Sequence, residues 1–365
     1  MAPSISSLCD LLKIHHPIIQ SGMGGVAGPE LAAEVSRAGG LGILAGLNLA
    51  PDDLRTQIRR IRALTAAPFG VNLWLHPDLA PPLDPTRLPA GDVAAANAAL
   101  NPARRSLGVP KSDARPPQRP DDLAAKIDVI IDERVPVWSI GLGLPAADVV
   151  SRCHQAGVLV MVMIANAVDA RAAAGVGADI IVAQGAEAGG HRSVWRADGR
   201  ADVGTVALIP EVVDAVDVPV VAAGGIADGR GLIAARALGA AGVLLGTRFV
   251  ATRESMAPDA WKQAIVRAAS DQTIVTRVFT GLPARVLRNR FIADYDATGA
   301  PVLPGLLQAA LAQPIFAAAQ RVNQPEYFPL YAGQSVGTIH DLPGAGDVVK
   351  AIVEEARLVL SRIGA

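Results

Sequence analysis

Cysteine is nearly absent from this sequence: Cys9 and Cys153 are the only two in 365 residues, far apart and in no Cys-x-x-Cys spacing. That excludes a disulfide framework and a thiolate metal cage, and both thiols are expected reduced, with Cys153 a buried helix residue. An excess of one charge is missing too. The 33 Lys and Arg against 34 Asp and Glu leave a formal net charge of −1, so no basic field exists to hold nucleic acid or an anionic membrane surface. No run of about 18 apolar residues occurs, which predicts no membrane partner through a transmembrane helix. The opening MAPSISSLCDLLKIHHP lacks the apolar core and cleavage site of a secretory leader. The expectation is a cytoplasmic protein with a small-molecule partner, monomeric or homodimeric. Metal-ligand spacings, G-x-S-x-G, Walker A and H-E-x-x-H are also lacking, so no metal site is expected.

What is present is apolar: 51% of residues are hydrophobic, enough for a large core without staples. Short apolar runs alternate with Ala-rich helical stretches, the mark of βαβ units around a parallel sheet. Eight strands are expected, at Pro17–Gln20, Leu41–Ala45, Phe69–Trp74, Val135–Ile140, Leu159–Ile164, Ile180–Ala183, Val218–Ala223 and Gly242–Leu245. Runs such as VLVMVMI and GVLLG are continuously apolar, as strands covered on both faces must be. Helices fit between them at Gly28–Ala38, Pro51–Leu64, Pro145–Ala156, Ala167–Gly175, Thr205–Val216 and Gly229–Leu238. The count predicts an α/β fold, a TIM (β/α)8 barrel over residues 1–254, with an open doubly wound sheet as the alternative. A Pro-rich insertion spans about 76–120, with a short helix near Ala94–Ser106. Residues 255–365 are read as a mostly helical C-terminal segment packing on the barrel mouth, ending in an amphipathic helix over Gly346–Ile363.

The chemistry-bearing segments all follow expected strands, and in a barrel those ends converge on one face. Gly224-Gly225 and Gly246-Thr247 end the last two strands, where Gly backbone and a helix N-terminus suit a phosphate; plain tight turns are the alternative. Gln184-Gly-Ala-Glu-Ala-Gly-Gly-His-Arg-Ser193 follows the sixth strand. There Gly189 and Gly190 would let backbone press on a flat ligand. His191 reads as a proton acceptor or as a structural histidine. His15, His16, His76, His154 and His340 are expected to be structural.

In this order, Gln20-Ser-Gly-Met23 with PELAAEVSRAGGLG, Phe69-Gly-Val-Asn72-Leu-Trp, Met163-Ile-Ala-Asn-Ala and GADIIVAQGAEAGGHRS resemble the motifs of the nitronate monooxygenases, from about Pro17 to the C-terminal helix. The resemblance implies FMN as cofactor and His191 as catalytic base. It implies flavin-ring contacts at Gly22, Met23, Asn72, Gln184, Gly189 and Gly190, and phosphate contacts at Gly224, Gly225, Gly246 and Thr247. Two departures stand out. Ser21-Gly22 replaces the Ala-Pro often found before the methionine, and Ala165 and Asn166 replace threonines after the fifth strand.

The activity so implied is oxidation of alkyl nitronates or nitroalkanes by O2 to carbonyl compounds and nitrite. An NAD(P)H-dependent flavin reductase of the same fold, acting on a quinone or an enoyl thioester, is one alternative. A non-catalytic FMN- or phosphate-binding barrel is another. Trp74 is expected to help exclude water. Tyr295, Tyr327 and Tyr331, with the 76–120 insertion, are expected either to line the substrate entrance or to pack the C-terminal segment. Arg285, Arg288 and Asn289 resemble a family segment of open role.

Overall fold

A computed structural model describes residues 5–195 and 201–363. Eight parallel strands run in ring order: β1 (Ile18–Gln20), β2 (Gly42–Ala45), β3 (Phe69–Trp74), β4 (Val137–Gly141), β5 (Leu159–Ile164), β6 (Ile180–Gln184), then, past a short β7 (Gly190–His191), β8 (Val220–Ala223) and β9 (Gly242–Leu245). β9 pairs back onto β1 through Ile19↔Leu244. Ile19 bridges Leu41 beside β2, with Gln20 N donating to Leu41 O at 2.9 Å. The sheet therefore closes, and the expected barrel replaces the open-sheet alternative.

The continuous apolar strand sequences are explained by two burial environments. Ile19, Ile43, Met161, Val182, Val221 and Leu244 fill the barrel interior, where Leu8 and Leu12 of the N-terminal helix Ile5–Leu12 join them. Their neighbours in sequence, among them Ile18, Leu44, Val160, Val162, Ile181 and Val243, face the surrounding helices. Each strand alternates between two apolar faces, so no polar position marks a solvent side. Helices Pro51–Leu64 and Ala167–Gly175 have the boundaries expected; Pro29–Arg37, Ala147–Gln155, Thr205–Val213 and Gly229–Ala237 are shorter by a few terminal residues.

The chain between β3 and β4 carries helix Ala90–Ser106 and a second helix, Leu123–Asp132, that was not anticipated. Residues beyond 255 hold, besides helices, the antiparallel pair β10 (Thr273–Thr276) and β11 (Ala284–Leu287). This pair continues into β7, where Ala284 sits opposite His191. The last helix, Ala345–Ile363, packs on the outer wall against helices Gly229–Ala237 and Pro29–Arg37. It occupies the ring position that a helix directly after β9 would fill, and Gly229 N donates to Glu355 Oε2 at 2.9 Å. The remainder of the segment sits over the mouth, where Leu306, Ala309 and Tyr331 reach the cavity. Among the described residues no helix is long and apolar enough to cross a membrane.

Candidate active site

The C-terminal strand ends open into one cavity of about 530 Å³, within the range that holds a cofactor-sized ligand. His191 and all ten residues expected to contact a cofactor line it: Gly22, Met23, Asn72, Gln184, Gly189, Gly190, Gly224, Gly225, Gly246 and Thr247. Several of these positions require glycine, Gly22 and the Gly224-Gly225 turn among them. A Cβ on Gly22 would come within 2.3 Å of Asn72 Cβ, so this backbone passes flush against the end of β3. Gly224 and Gly225 have φ of +104° and +72°, a turn that side chains resist.

The loop after β6 is fixed from two sides. Arg192, almost fully buried, donates to Gly185 O at 3.2 Å, to Ala186 O at 3.0 Å and to Ala188 O. Arg285 Nε donates to the same Ala186 O at 3.0 Å. Burial first, and then the neighbouring Arg285, push the Arg192 guanidinium down to about 10, against the opposing pull of Glu187. It stays charged at neutral pH. The Glu187 carboxylate accepts from Thr205 N at the start of helix Thr205–Val213. Gln184, which lines the cavity, also holds the loop together. Its amide donates to His191 O at 3.0 Å and accepts from Ser193 N at 2.8 Å, stapling the loop on which His191 sits.

His191 is held on β7 with Trp74 edge-on at 4.6 Å and Tyr331 tilted at 5.4 Å between ring centroids. Its Nε2 lies 3.0 Å from Thr280 Oγ1, and that hydroxyl also reaches Leu282 O at 3.1 Å. Among the described residues Nδ1 has no hydrogen-bond partner. Burial, then the charge of Arg192 and the proximity of His76, push His191 down to about 3, so the imidazole is neutral at physiological pH. Burial likewise pushes the Tyr331 phenol up, keeping it a donor.

The tyrosines divide. Tyr295 packs with Phe291 and donates to Pro301 O, and Tyr327 is buried beside Phe328, whereas Tyr331 lines the cavity. Asn289 caps helix Arg290–Asp296. The threonines missing after β5 have a partial substitute. Ala165 is buried, Asn166 caps helix Ala167–Gly175, and the Ser193 hydroxyl bonds Met163 O at 2.8 Å at the cavity wall. Cys153 is buried far from these groups, its thiol pushed up to about 11 by burial. Reasoning from motifs missed Thr280, Trp261, Gly333, Ser335 and Arg119, which also line the cavity. Gly333 N donates to Thr247 Oγ1 at 2.9 Å, tying the C-terminal segment to the glycine turns. Among the described residues no group of His, Cys, Asp and Glu could hold a metal ion.

The profile of the nitronate monooxygenases matches residues 5–355. The chain belongs to the nitronate monooxygenase family. It is 34% identical over 355 residues to a probable nitronate monooxygenase of Staphylococcus saprophyticus, covering 96% of this chain and 98% of that one. The solved structure of nitroalkane oxidase from Streptomyces ansochromogenes superimposes with a TM-score of 0.87 at 37% identity, over 98% of this chain and all of the other. FabK from Thermotoga maritima follows with a TM-score of 0.76 at 33% identity, over 98% and 97% of the two chains. This nitronate monooxygenase family member is thus an oxidoreductase with a TIM barrel, and its cavity sits where barrel active sites lie.

Proposed function

We propose that the protein oxidises alkyl nitronates, and the nitroalkanes that give rise to them, with FMN and O2, forming carbonyl compounds and nitrite. The observation that carries this reading is a neutral imidazole, His191, facing the same cavity as the glycine turns. The donor set fits FMN. Gly224, Gly225, Gly246 and Thr247 would receive its phosphate, and the flush backbone at Gly22, with Met23, Asn72, Gly189 and Gly190, suits a flat ring system. When bound, FMN would supply the electron transfer between nitronate and oxygen.

His191 removes the α-proton of a neutral nitroalkane. When the Thr280 hydroxyl donates to Leu282 O, its oxygen accepts Nε2–H of His191, and Nδ1 is left with the free lone pair. That proton then rests on Nδ1 as an imidazolium. The low proton affinity that burial gives the imidazole does not forbid this. The nitronate forms with a negative charge beside the ring, and an opposite charge at that range favours the imidazolium. Trp74 and Tyr331 shield the pair from water, and the Tyr331 phenol is a candidate donor to the nitro oxygens.

His191→Asn tests the assignment. FMN content should remain near parental, while turnover of nitroethane falls by about a hundredfold or more, the usual contribution of a positioned base. Ethyl nitronate, already deprotonated, should lose much less. Parental rates with nitroethane would overturn the role of His191.

A further inference from the structure

On the face opposite the active site, at the N-terminal ends of β3, β4 and β5, lies a second basin of about 690 Å³. Its floor is apolar, formed by Leu11, Pro68, Phe69, Val137 and Leu159, and its rim carries Lys13, Arg62 and Arg134. Among the described residues no carboxylate lines it. The basin and the active-site cavity share no lining residue, and β3 runs from one to the other: Phe69 starts in the basin and Trp74 ends at the cavity. Residue steps of about 3.3 Å separate the two by roughly 17 Å, too far for a small ligand in one to touch the other.

Of the three cations, Arg62 is committed. Its guanidinium lies 6.0 Å from the Phe69 ring centroid and pairs with Glu133 at 2.7 Å. Glu133 also takes Arg55 at 3.0 Å and Arg59 at 2.9 Å, so this one carboxylate already serves three arginines. Lys13 and Arg134 have no side-chain hydrogen bond or ion pair among the described residues. Their backbone is unusual as well. Each follows a helix in the left-handed region, with φ of +56° and +45°. The same turn after helices Pro29–Arg37, Ala147–Gln155, Ala167–Gly175 and Gly229–Ala237 uses Gly39, Gly157, Gly177 and Gly239. Glycine is what this helix-ending turn favours, and a side chain there costs free energy. Where the chain departs from glycine at such a helix-to-strand turn, it places a long cation, and both cations line the same basin.

We infer that this basin is a second binding site, for an anion carried on an apolar body, of the class of a medium-chain carboxylate. The head group sits between the Lys13 ammonium and the Arg134 guanidinium, and the chain lies along Leu11, Pro68 and Leu159. Burial of the chain supplies most of the binding free energy, because exposed cations contribute little each. The two charges select the sign of the head group. The site stands independently of the nitronate reading, since none of its residues reaches the active-site cavity.

The test is calorimetric titration of the holoenzyme with octanoate, octanol and inorganic phosphate. The parent should bind octanoate saturably, and more tightly than either of the others, with an affinity that falls as salt is raised. Lys13→Gly and Arg134→Gly should each weaken octanoate by up to about fivefold, and together by roughly tenfold, the range for exposed charge pairs. The thermal midpoint of the double glycine variant without ligand should hold or rise, because glycine suits both turns, so the weaker binding is not a folding defect. Lys13→Gln combined with Arg134→Gln keeps the side chains and removes the charges, and it should lose the same preference for octanoate over octanol. Turnover at the active site should be unchanged in all of them. Octanoate bound as tightly by the double variants as by the parent, or no more tightly than octanol or phosphate by the parent, overturns the inference.

Discussion

At the scale of single residues, His191 is set by its neighbours more than by its own chemistry. Thr280, 89 positions away in sequence, is the group within 3.0 Å of its Nε2. If this hydroxyl orients the ring, Thr280→Val should lower kcat with neutral nitroalkanes by about tenfold or more, because the ring loses the partner that fixes its tautomer. Thr280→Ser should restore most of it, and ethyl nitronate should be less affected than nitroethane. A uniform loss across both substrates, unrepaired by serine, would reduce Thr280 to packing. His191 itself was legible because two glycines and a strand end precede it. Thr280 was not, since T-G-L-P reads as any turn. Arg119 sits in a Pro-rich stretch with no periodicity, so nothing local points its side chain inward.

At the scale of elements, the eight barrel strands were legible because each is buried on both faces and reads as a mostly apolar run, broken only by single polar residues such as Asn72 and Ser139. The three-stranded sheet was not. β7 has two residues, one of them glycine, and it is a strand only because β11 lies beside it. Pairings between segments about ninety positions apart leave no trace in local pattern. The C-terminal segment was read as helical on composition, and TIVT and ARVL were absorbed into that reading although each is β-rich. This sheet sets the position of the loop that carries His191, and Arg285 on β11 carries the coupling through Ala186 O. Arg285→Met should cost about 1–3 kcal/mol of stability, because Ala186 O loses one of its two donors and Thr273 Oγ1 loses the guanidinium that donates to it. It should also weaken FMN retention. Thermal melting with and without added FMN checks both effects, and an unchanged midpoint with unchanged flavin content would contradict the coupling.

At the scale of the whole molecule, folding places a neutral histidine in a site that resists protonation, and this links stability to pH. The pKa of His191 falls from about 6.5 in the unfolded chain to about 3 in the fold. Between these values the unfolded chain binds the extra proton, so stability is greatest above 6.5 and declines as the pH falls toward 3. The parent should therefore lose more thermal stability than His191→Asn on going from neutral pH to about pH 4. Parallel losses would mean that the ring is not held neutral. The same fold that isolates His191 also closes the barrel mouth with a segment whose last helix returns to complete the outer wall. The likeness to both a nitroalkane oxidase and FabK makes the reaction, rather than the fold, the decisive question. The most direct test follows the flavin absorbance of the purified protein without oxygen, mixed separately with ethyl nitronate and with NADH or NADPH. Reduction by nitronate alone, with nitrite appearing once air is admitted, is the result expected here. Rapid bleaching by a nicotinamide nucleotide with no response to nitronate would contradict it and make the protein a flavin reductase on the same barrel.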